Sequence, residues 1–291
     1  MSTYCVYHQW CSDGTAALWV VQQVYPEVLP WGAHHFSRGE LPPVTKEDDL
    51  IFVDFCYSLE RMLQLAQSAQ SLLVIDHHES SRETLDELRK LEGDDLDVEV
   101  VWSNEASACQ LAWDHYFGKP EPLFLTHISD RDRWVWTHHK SRDFTAAVNA
   151  QYDRTPETIK ILARLTDEQY DRLVAEGAVI NRIQDELIRR LALGAPLLPY
   201  KEWRVWVCET PLFISDVGAV LAERERGDFA MVWHYNLVEK RTIVALRGSK
   251  SKGINLVPIA QSYGGGGHPM ACGFSIKGTI DQLFEEEKSE P

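Results

Sequence analysis

The chain has 291 residues, of which 44% are hydrophobic and 25% are charged, and its formal net charge at pH 7 is −15. This length allows about two domains with a sizeable core, and the composition is that of a globular protein. The charge disfavours binding to long nucleic acid, because such binding depends on Lys and Arg releasing counterions from phosphates. It does not exclude a short anionic ligand held by a metal and a few basic groups.

No apolar run approaches the roughly 20 residues that cross a bilayer, and the first residues lack the basic and apolar segments of a signal peptide. Six cysteines are scattered along the chain without a CxxC pair. This usage is typical of reduced thiols and not of a disulfide framework. We therefore expect a cytoplasmic protein that has no membrane partner.

In the N-terminal half, short apolar runs alternate with segments of helical composition. The runs predict strands at 3–7, 28–33, 49–54, 72–75, 98–102 and 123–128. Strands that alternate with helices of this length predict an α/β domain with a doubly wound, mostly parallel sheet.

The pattern changes twice further along the chain. Between 153 and 200 the sequence is polar, amphipathic and mostly of helical composition. Thr155 and Thr166 stand at positions where helix N-cap residues are expected. From Trp203 onward, short alternating strands predict a second, smaller α/β domain. We therefore predict an N-terminal domain at 1–152, a helical connector at 153–200 and a C-terminal domain at 201–291.

Side chains with metal-binding chemistry follow four of the predicted strands. They are His8 with Asp13, Asp54, the group Asp76, His77 and His78, and Asp130. A single Asp after a strand is usually a turn or cap residue. Four such placements favour a site, because parallel strands bring them to one carboxyl edge, where open α/β folds bind ligands. Carboxylates with imidazoles suit Mn²⁺, Fe²⁺ or Zn²⁺, whereas Mg²⁺ and Ca²⁺ prefer oxygen ligands alone.

A glycine run in the C-terminal part, Gly264 to Gly267, ends at His268. The run can form a flexible loop, or it can let the backbone approach a ligand and present N–H groups. Arg247 follows a strand in the same domain and carries a fork-shaped guanidinium that suits phosphate. This combination favours a phosphate site, and hence a cleft between this domain and the metal-binding one.

The motifs VYHQWCSDG, VDFCYS, IDHH and ISDRD resemble the four motifs of the DHH phosphoesterase superfamily. The segment GGGGHPMACGF resembles the DHHA1 domain that follows in this superfamily, as in nano-RNase and RecJ-like phosphodiesterases. The resemblance covers nearly the whole chain. It implies a two-domain, Mn²⁺-dependent phosphohydrolase that acts at the interdomain cleft.

The resemblance also implies a role for each motif residue. The metal ligands would be His8, Asp13, Asp54, His77 and Asp130, with Asp54 bridging two metals. The catalytic positions would be His78, as a polarising donor or general acid near the scissile phosphate, and Asp76, which orients its neighbours. The substrate binders would be Arg247, Gly265, Gly266, Gly267 and His268. We expect one or two Mn²⁺ ions, with Mg²⁺, Co²⁺, Fe²⁺ or Zn²⁺ as alternatives.

Cys11 departs from the family pattern, because the first motif usually carries a second aspartate, as in HxxDxDG. A thiolate can bind Zn²⁺ or Fe²⁺. We interpret Cys11 as a residue that does not bind metal, which would weaken one of the two metal positions.

The function that these features predict is hydrolysis of phosphodiester bonds in short oligonucleotides or in dinucleotides derived from cyclic dinucleotides. The expected partner is a short nucleotide substrate and not a long duplex. The sequence does not decide whether the protein forms a homodimer. One alternative is cleavage of a phosphoanhydride or phosphomonoester, as in pyrophosphate, polyphosphate or a 3′-phosphoadenosine nucleotide. Another is a nucleotide-binding regulator that has lost catalysis, of which Cys11 would be the sign.

Overall fold

The computed structural model describes residues 2–34, 40–91 and 97–285. The chain forms two compact units, Met1–Asn181 and Arg182–Pro291. The division lies within a single helix, Asp167–Leu193. The segment 153–200, predicted as a connector, therefore contributes its first part to one unit and its last part to the other.

Strands of the first unit form one parallel sheet. Its described strands are β1 (Thr3–His8), β2 (Leu29–Ala33), β3 (Asp49–Val53), β4 (Ser71–Asp76) and β5 (Asp97–Trp102). Their order is β2-β1-β3-β4-β5, and every neighbouring pair is parallel. All of these strands therefore end at the same edge of the sheet.

Helices cover both faces of this sheet. They are α1 (Ser12–Val24), α2 (Leu59–Ser68), α3 (Arg82–Arg89), α4 (Ala108–Phe117), α5 (Leu123–Arg133), α6 (Ser141–Gln151), α7 (Pro156–Leu162) and the first part of α8 (Asp167–Leu193), with a 3₁₀ turn at Glu79–Ser81. Along β3, Ile51 and Val53 pack into the core under α1, α4 and α5, whereas Leu50 and Phe52 pack into the core under α2 and α3. Burial on both faces explains why the strands are continuous apolar runs. The prediction of a doubly wound parallel sheet is confirmed.

The strand predicted at 123–128 is wrong, because these residues begin α5. Phe124, Leu125 and Ile128 are buried, but Leu123 is exposed and Thr126 is partly exposed, which is the spacing of a helix face. A short apolar run does not distinguish a buried strand from a buried helix segment. Asp130 therefore lies within a helix and not at the end of a strand.

The second unit contains a mixed sheet with helices beside it. Its strands are β6 (Leu197–Tyr200), β7 (Trp203–Glu209), β8 (Phe229–Asn236), β9 (Arg241–Arg247), β10 (Gly266–His268) and β11 (Ala271–Lys277). The order is β10-β11-β9-β8-β7-β6, in which β7 and β8 are parallel and the other pairs are antiparallel. The helices are α9 (Ile214–Ala222), α10 (Val257–Ser262) and α11 (Gln282–Glu285). The smaller C-terminal α/β domain is thus confirmed.

The helix caps predicted in the connector are present. The Thr155 side chain accepts a hydrogen bond from the Thr158 N–H. Thr166 and Gln169 form a reciprocal capping box at the start of α8, with distances of 2.9 and 3.3 Å. The end of the predicted connector forms β6, an edge strand, where Pro199 does not interrupt the sheet.

No helix among the described residues combines the length and the apolar character that crossing a membrane would need. All six cysteines are free thiols. The prediction that the chain has no disulfide framework agrees with this finding.

Candidate metal centre

Three adjacent strands of the parallel sheet lead into residues with metal-binding side chains. β1 ends at His8, Asp54 directly follows β3, and β4 ends at Asp76, which is followed by His77 and His78. Because β1, β3 and β4 are neighbours, these side chains meet at the carboxyl edge of the sheet. The structure thus brings together three of the four groups that the sequence singled out at strand ends.

The chain turns sharply where β3 ends. Asp54 has a φ of 58°, a left-handed conformation that Asp tolerates better than most residues. Its N–H donates to the Ile75 carbonyl at 3.0 Å, which holds it beside β4. A Cβ on Gly14 would lie 2.5 Å from the His8 carbonyl oxygen and 3.0 Å from Asp54 Oδ2. Glycine is therefore needed there for α1 to begin so close to the site.

His77 is surrounded by carboxylates. Its Nε2 atom lies 3.2 Å from Asp54 Oδ1 and 3.5 Å from Asp13 Oδ2. A third carboxylate oxygen, Asp132 Oδ2, is 3.4 Å from the same nitrogen. His77, Asp54 and Asp13 are all buried, so these charges interact with little screening by water.

Asp54 is the carboxylate that all three histidines share. Besides its contact with His77, its Oδ2 atom lies 3.4 Å from His8 Nδ1 and its Oδ1 atom lies 3.7 Å from His78 Nδ1. Asp54 thus has a central position among the three imidazoles. The bridging role itself stays a prediction.

Asp76 orients the two histidines that follow it. Its Oδ1 atom accepts hydrogen bonds from the backbone N–H groups of His77 (2.8 Å) and His78 (3.2 Å). The same oxygen is 2.7 Å from His78 Nδ1. This bond directs the other ring nitrogen, Nε2, away from Asp76, which is how a carboxylate positions a functional imidazole.

Asp13 connects the site to the start of α4. Its two oxygens accept hydrogen bonds from the Ser107 hydroxyl (2.7 Å), the Ala108 N–H (2.7 Å) and the Cys109 N–H (2.9 Å). The carboxylate thereby satisfies N–H groups that the helix itself leaves unpaired. Burial raises the pKa of Asp13, and the nearby charge of Asp54 adds to that shift.

The two aspartates of α5 have different surroundings. Asp130 accepts hydrogen bonds from the Thr137 N–H and hydroxyl, the His138 N–H and the Ser141 hydroxyl, at 2.5–3.0 Å. Asp132 instead places its Oδ2 atom beside His77. Side chains two positions apart in a helix project in directions that differ by about 200°. Only one of these two aspartates can therefore face the cluster around His77. The sequence analysis predicted Asp130 as the ligand and did not single out Asp132.

Burial and neighbouring charges set the protonation of the cluster. Burial raises the pKa of Asp132 to about 7, although His77 opposes that shift. Burial alone would lower the pKa of His77, but Asp132, Asp54 and Asp13 outweigh it and raise this pKa to about 10. The pKa of Asp54 stays well below its ordinary value despite burial, because of the imidazoles of His77 and His8.

These residues fit a divalent metal. Asp132 Oδ2 is buried and makes no hydrogen bond within the described part of the chain, although the whole side chain is 25% exposed. A buried carboxylate oxygen without a donor is costly unless a cation satisfies it. Among the described residues of this unit, two sets of atoms could bind a metal, each set within 4.8 Å: Asp13, Asp54 and His77, and His8, Asp54 and His78. A bound divalent ion supplies Lewis-acid stabilisation for charge on a phosphate oxygen.

Cys11 belongs to neither of these two sets. Burial raises the pKa of its thiol well above the ordinary value, and the charges of Asp54, Asp132 and Asp13 raise it further. The thiolate, and not the neutral thiol, is the form that binds metal. The interpretation of Cys11 as a residue that does not bind metal stays a prediction.

Metal binding is expected to release protons at neutral pH. Because its pKa is about 10, His77 holds a proton at pH 7 in the metal-free protein, and an imidazole must lose that proton to bind metal. Titration calorimetry with Mn²⁺, in buffers of different ionisation enthalpy, should show about one proton or more released per ion. The affinity should rise with pH between about 6 and 9. Binding without proton release would contradict a ligand role for His77.

A second buried polar network surrounds Asp130. His127 Nδ1 lies 2.8 Å from the Ser141 hydroxyl, and its Nε2 lies 2.8 Å from the Tyr170 hydroxyl. Ser141 donates its proton to Asp130, so it accepts from His127. His127 therefore carries its proton on Nδ1, and Tyr170 donates to Nε2.

This network makes stability depend on pH. Burial lowers the pKa of His127 to about 4, whereas in the unfolded chain it is about 6.5. As the pH falls, His127 takes up a proton in the unfolded state before it does so in the folded state. The contribution of neutral His127 to the free energy of unfolding is therefore complete above pH 6.5 and is lost as the pH falls to about 4. The wild type should therefore lose more stability than His127→Gln when the pH is lowered from 7 to 4.5. The difference between their unfolding free energies should change by up to about 3 kcal/mol in favour of the variant. Denaturant unfolding at both pH values tests this, and a constant difference would contradict it.

In the second unit, the sheet brings two predicted phosphate-binding side chains to one face. Ala271 in β11 pairs with Arg247 of β9 on one side and with His268 of β10 on the other. Residues directly opposite each other in a sheet project from the same face. Arg247 and His268 therefore lie in one row, about two strand spacings or 10 Å apart.

The guanidinium of Arg247 is held by the fold. Its Nη2 donates to the Ser215 hydroxyl at 2.9 Å, and its Nη1 donates to the Leu246 carbonyl at 2.8 Å. Gly218 in α9 makes room for this side chain, since a Cβ there would lie 2.5 Å from Arg247 Cγ. An oriented guanidinium loses less entropy when it binds an anion.

Part of the glycine run is a strand and not a flexible loop. Gly266 and Gly267 belong to β10, and Gly267 has a φ of 133°. A Cβ on Gly265 would lie 2.1 Å from the Gly273 carbonyl oxygen, so glycine is required for close pairing with β11. A role for Gly265, Gly266 and Gly267 in binding phosphate stays a prediction.

The parallel sheet, the DHH motif at the end of β4 and the mixed second sheet together define the class of fold. The chain has the fold of the DHH phosphoesterase superfamily, as the sequence motifs predicted. At its carboxyl edge this fold holds a cluster of carboxylates and imidazoles that could bind a metal.

Comparison with known proteins agrees with this fold. No family model matches the chain. It is similar to an uncharacterized protein of Acanthamoeba polyphaga mimivirus, with 25% identity over 291 residues, which covers 94% of this chain and 67% of the relative. It is also similar to the solved structure of the pGpG-specific phosphodiesterase PggH from Vibrio cholerae (TM-score 0.50, 16% identity, 99% of this chain, 97% of that one). The structure of CDC45 from Entamoeba histolytica is similar as well (TM-score 0.53, 9% identity, 99% and 94%). At these identities the structural likeness concerns the fold.

Proposed function

We propose that the protein is a metal-dependent phosphodiesterase that hydrolyses short oligonucleotides or dinucleotides. The observation that carries this proposal is the buried cluster in which Asp54 contacts His8, His77 and His78. Carboxylates and imidazoles at a parallel sheet edge are suited to divalent metal chemistry on phosphate. Mn²⁺ is the ion we propose first, and Mg²⁺, Co²⁺, Fe²⁺ and Zn²⁺ are the alternatives to be compared with it.

His78 is the residue that we propose to act on the phosphate. Asp76 raises the pKa of His78 to about 9, against the effect of burial. The imidazole is therefore protonated at neutral pH and can donate a hydrogen bond or a proton to an oxygen of the phosphodiester. Asp76 holds the ring through Nδ1, so that the donor is Nε2.

A short substrate fits the charge of the protein. A net charge of −15 opposes binding along a long nucleic acid, but Arg247 and His268 offer local donors for one terminal phosphate. This favours cleavage from one end of a short chain. One protein with this fold is a pGpG-specific phosphodiesterase, which supports a dinucleotide as the first substrate to test. Location of the substrate in an interdomain cleft stays a prediction.

A substrate panel tests the proposal. Metal-stripped protein supplied with Mn²⁺ would be incubated with a 5′-phosphorylated dinucleotide, longer oligonucleotides, a cyclic dinucleotide, a 3′-phosphoadenosine nucleotide, pyrophosphate and polyphosphate. We expect the highest kcat/KM on the dinucleotide. Preference for pyrophosphate or polyphosphate would replace this function with phosphoanhydride cleavage. Nucleotide binding without any turnover would support the non-catalytic regulator.

A further inference from the structure

Trp10 stands out among the tryptophans of the described chain. Its side chain is 61% exposed, whereas the other tryptophans are at least partly buried. It lies two residues after His8 and three before Asp13, so its Cα is within about 7 Å of that of His8. The backbone of a residue with a large exposed aromatic ring therefore lies close to a candidate metal ligand.

The backbone at Trp10 is in an unfavourable conformation. Its φ is 62°, in the left-handed region that bulky residues rarely adopt and that costs on the order of 1–3 kcal/mol. The fold holds the residue there on both sides. The Gln9 N–H donates to the Ala33 carbonyl at 2.8 Å, and Arg154 Nη1 donates to the Trp10 carbonyl at 3.4 Å. These two hydrogen bonds hold the backbone on either side of the indole, and the ring itself is mostly exposed to water.

One side of the indole is supported by another ring. The centroids of Trp10 and His34 are 4.9 Å apart, with the planes tilted by 35°. His34 directly follows β2, so the pair lies at the carboxyl edge of the sheet. A ring that is supported at one side and is mostly exposed is suited to stack on a flat aromatic ligand.

The other tryptophans near the site are already in contact with neighbours. Trp134 and Trp136 also have a positive φ, but their ring centroids are only 5.1 Å apart. The guanidinium of Arg131 lies over both rings, 4.6 Å from the centroid of Trp134 and 5.8 Å from that of Trp136. Trp10 is therefore the ring that offers the larger open surface.

We infer that Trp10 stacks on a nucleobase of the substrate and makes the protein select phosphodiesters that carry a base. This inference rests on the proposed function, because it concerns the substrate of the same site. A base stacked on an aromatic side chain contributes about 1–3 kcal/mol, largely independently of sequence. That contribution would discriminate a nucleotide from pyrophosphate or polyphosphate, which have no ring to stack.

Binding measurements test the inference independently of turnover. The probes are a 5′-phosphorylated adenosine dinucleotide whose bridging oxygen is replaced by methylene, and the same molecule with one base removed. Binding to the Mn²⁺-loaded full chain would be measured for the wild type, Trp10→Ala, Trp10→Phe and Trp10→Leu. We expect the wild type to prefer the probe with both bases, and Trp10→Ala to lose about 5- to 150-fold of that preference. Phe should restore most of it because it keeps an aromatic face, and Leu should not.

Three other outcomes of these measurements would contradict the inference. An equal loss on both probes in Trp10→Ala would mean that Trp10 supports the site without contacting a base. Full rescue by Leu would mean that apolar area and not the aromatic face is what matters. A change in oligomeric state in Trp10→Ala, seen by light scattering, with unchanged probe preference would assign the ring to a second copy of the chain. If the probes bind as expected but the natural dinucleotide is not cleaved, the stacking role stands and the proposed function fails.

Discussion

Replacing Asp54 with asparagine is expected to reduce metal-dependent hydrolysis by at least about 100-fold, since even residues that only support metal ligands typically contribute 10- to 100-fold. Asp54 is in contact with the imidazoles of His8, His77 and His78. Asparagine keeps the shape and tolerates the left-handed backbone at φ 58°, but it lacks the charge that a divalent ion requires. The loss should appear in kcat and in the number of bound ions.

Asp114→Asn is the matched control, because Asp114 is exposed in α4 and the change removes one charge in the same way. It should retain wild-type turnover and metal content. The two variants would be compared by thermal unfolding to show that both are folded. An Asp54→Asn protein that binds the same number of Mn²⁺ ions and turns over at the wild-type rate would remove the basis for the metal centre.

The second large effect separates Asp132 from Asp130. Asp132→Ala is expected to lower activity by about 100-fold or more, as for a metal-associated carboxylate, without loss of stability. The pKa of Asp132 is raised to about 7, which means that the ionised carboxylate lowers the stability of the folded state. At pH 8 Asp132 is mostly ionised, so its replacement by alanine removes this unfavourable contribution. Asp130→Ala should instead lower the unfolding free energy by on the order of 2 kcal/mol, because it removes the acceptor of four hydrogen bonds, one of them from the buried Ser141 hydroxyl.

The donors that depend on Asp130 are specific, so the loss of stability has a defined cause. They are the N–H groups of Thr137 and His138 and the hydroxyls of Thr137 and Ser141. Denaturant unfolding and kcat/KM would be measured for both variants at pH 8. If Asp130→Ala proved stable but lacked bound metal, Asp130 would be the ligand that the sequence motif predicted, and the role given to Asp132 would be wrong.

Most of the fold could be predicted because its strands are buried on both faces. Runs such as Leu50 to Val53 and Leu72 to Ile75 are continuously apolar, and the residues that follow them are polar and chemically distinctive. Parallel pairing then requires that Asp54, His77 and His78 meet at one edge. These inferences depend on local pattern and sheet topology, which a sequence carries directly.

The error at α5 arose where local pattern was ambiguous. The run 123–128 has the length and composition of a buried strand, and only tertiary packing shows that it is a helix. A strand at 123–128 predicts that Asp130, like Asp54, follows a strand end. With a helix, Asp130 faces Ser141 and Asp132 faces His77. The spacing of two aspartates on a helix, with hydroxyl residues following, was the signal that could have separated them.

Trp10 could not be placed from sequence for a different reason. The hydrogen bonds at Gln9 and Trp10 are made with Ala33 and Arg154, which are distant in the chain. The same holds for the row formed by Arg247, Ala271 and His268, which follows from strand register. Contacts of this kind are set by tertiary structure and leave no local signature.

The most direct test of the central claim is hydrolysis of a 5′-phosphorylated dinucleotide by metal-stripped protein, measured before and after addition of Mn²⁺. The proposed function predicts no cleavage before the addition and conversion to mononucleotides after it, with the activity lost again in EDTA and in Asp54→Asn. Cleavage that proceeds equally without metal, or a metal-loaded protein that leaves the dinucleotide intact, would contradict the assignment of this cluster as the centre of a metal-dependent phosphodiesterase.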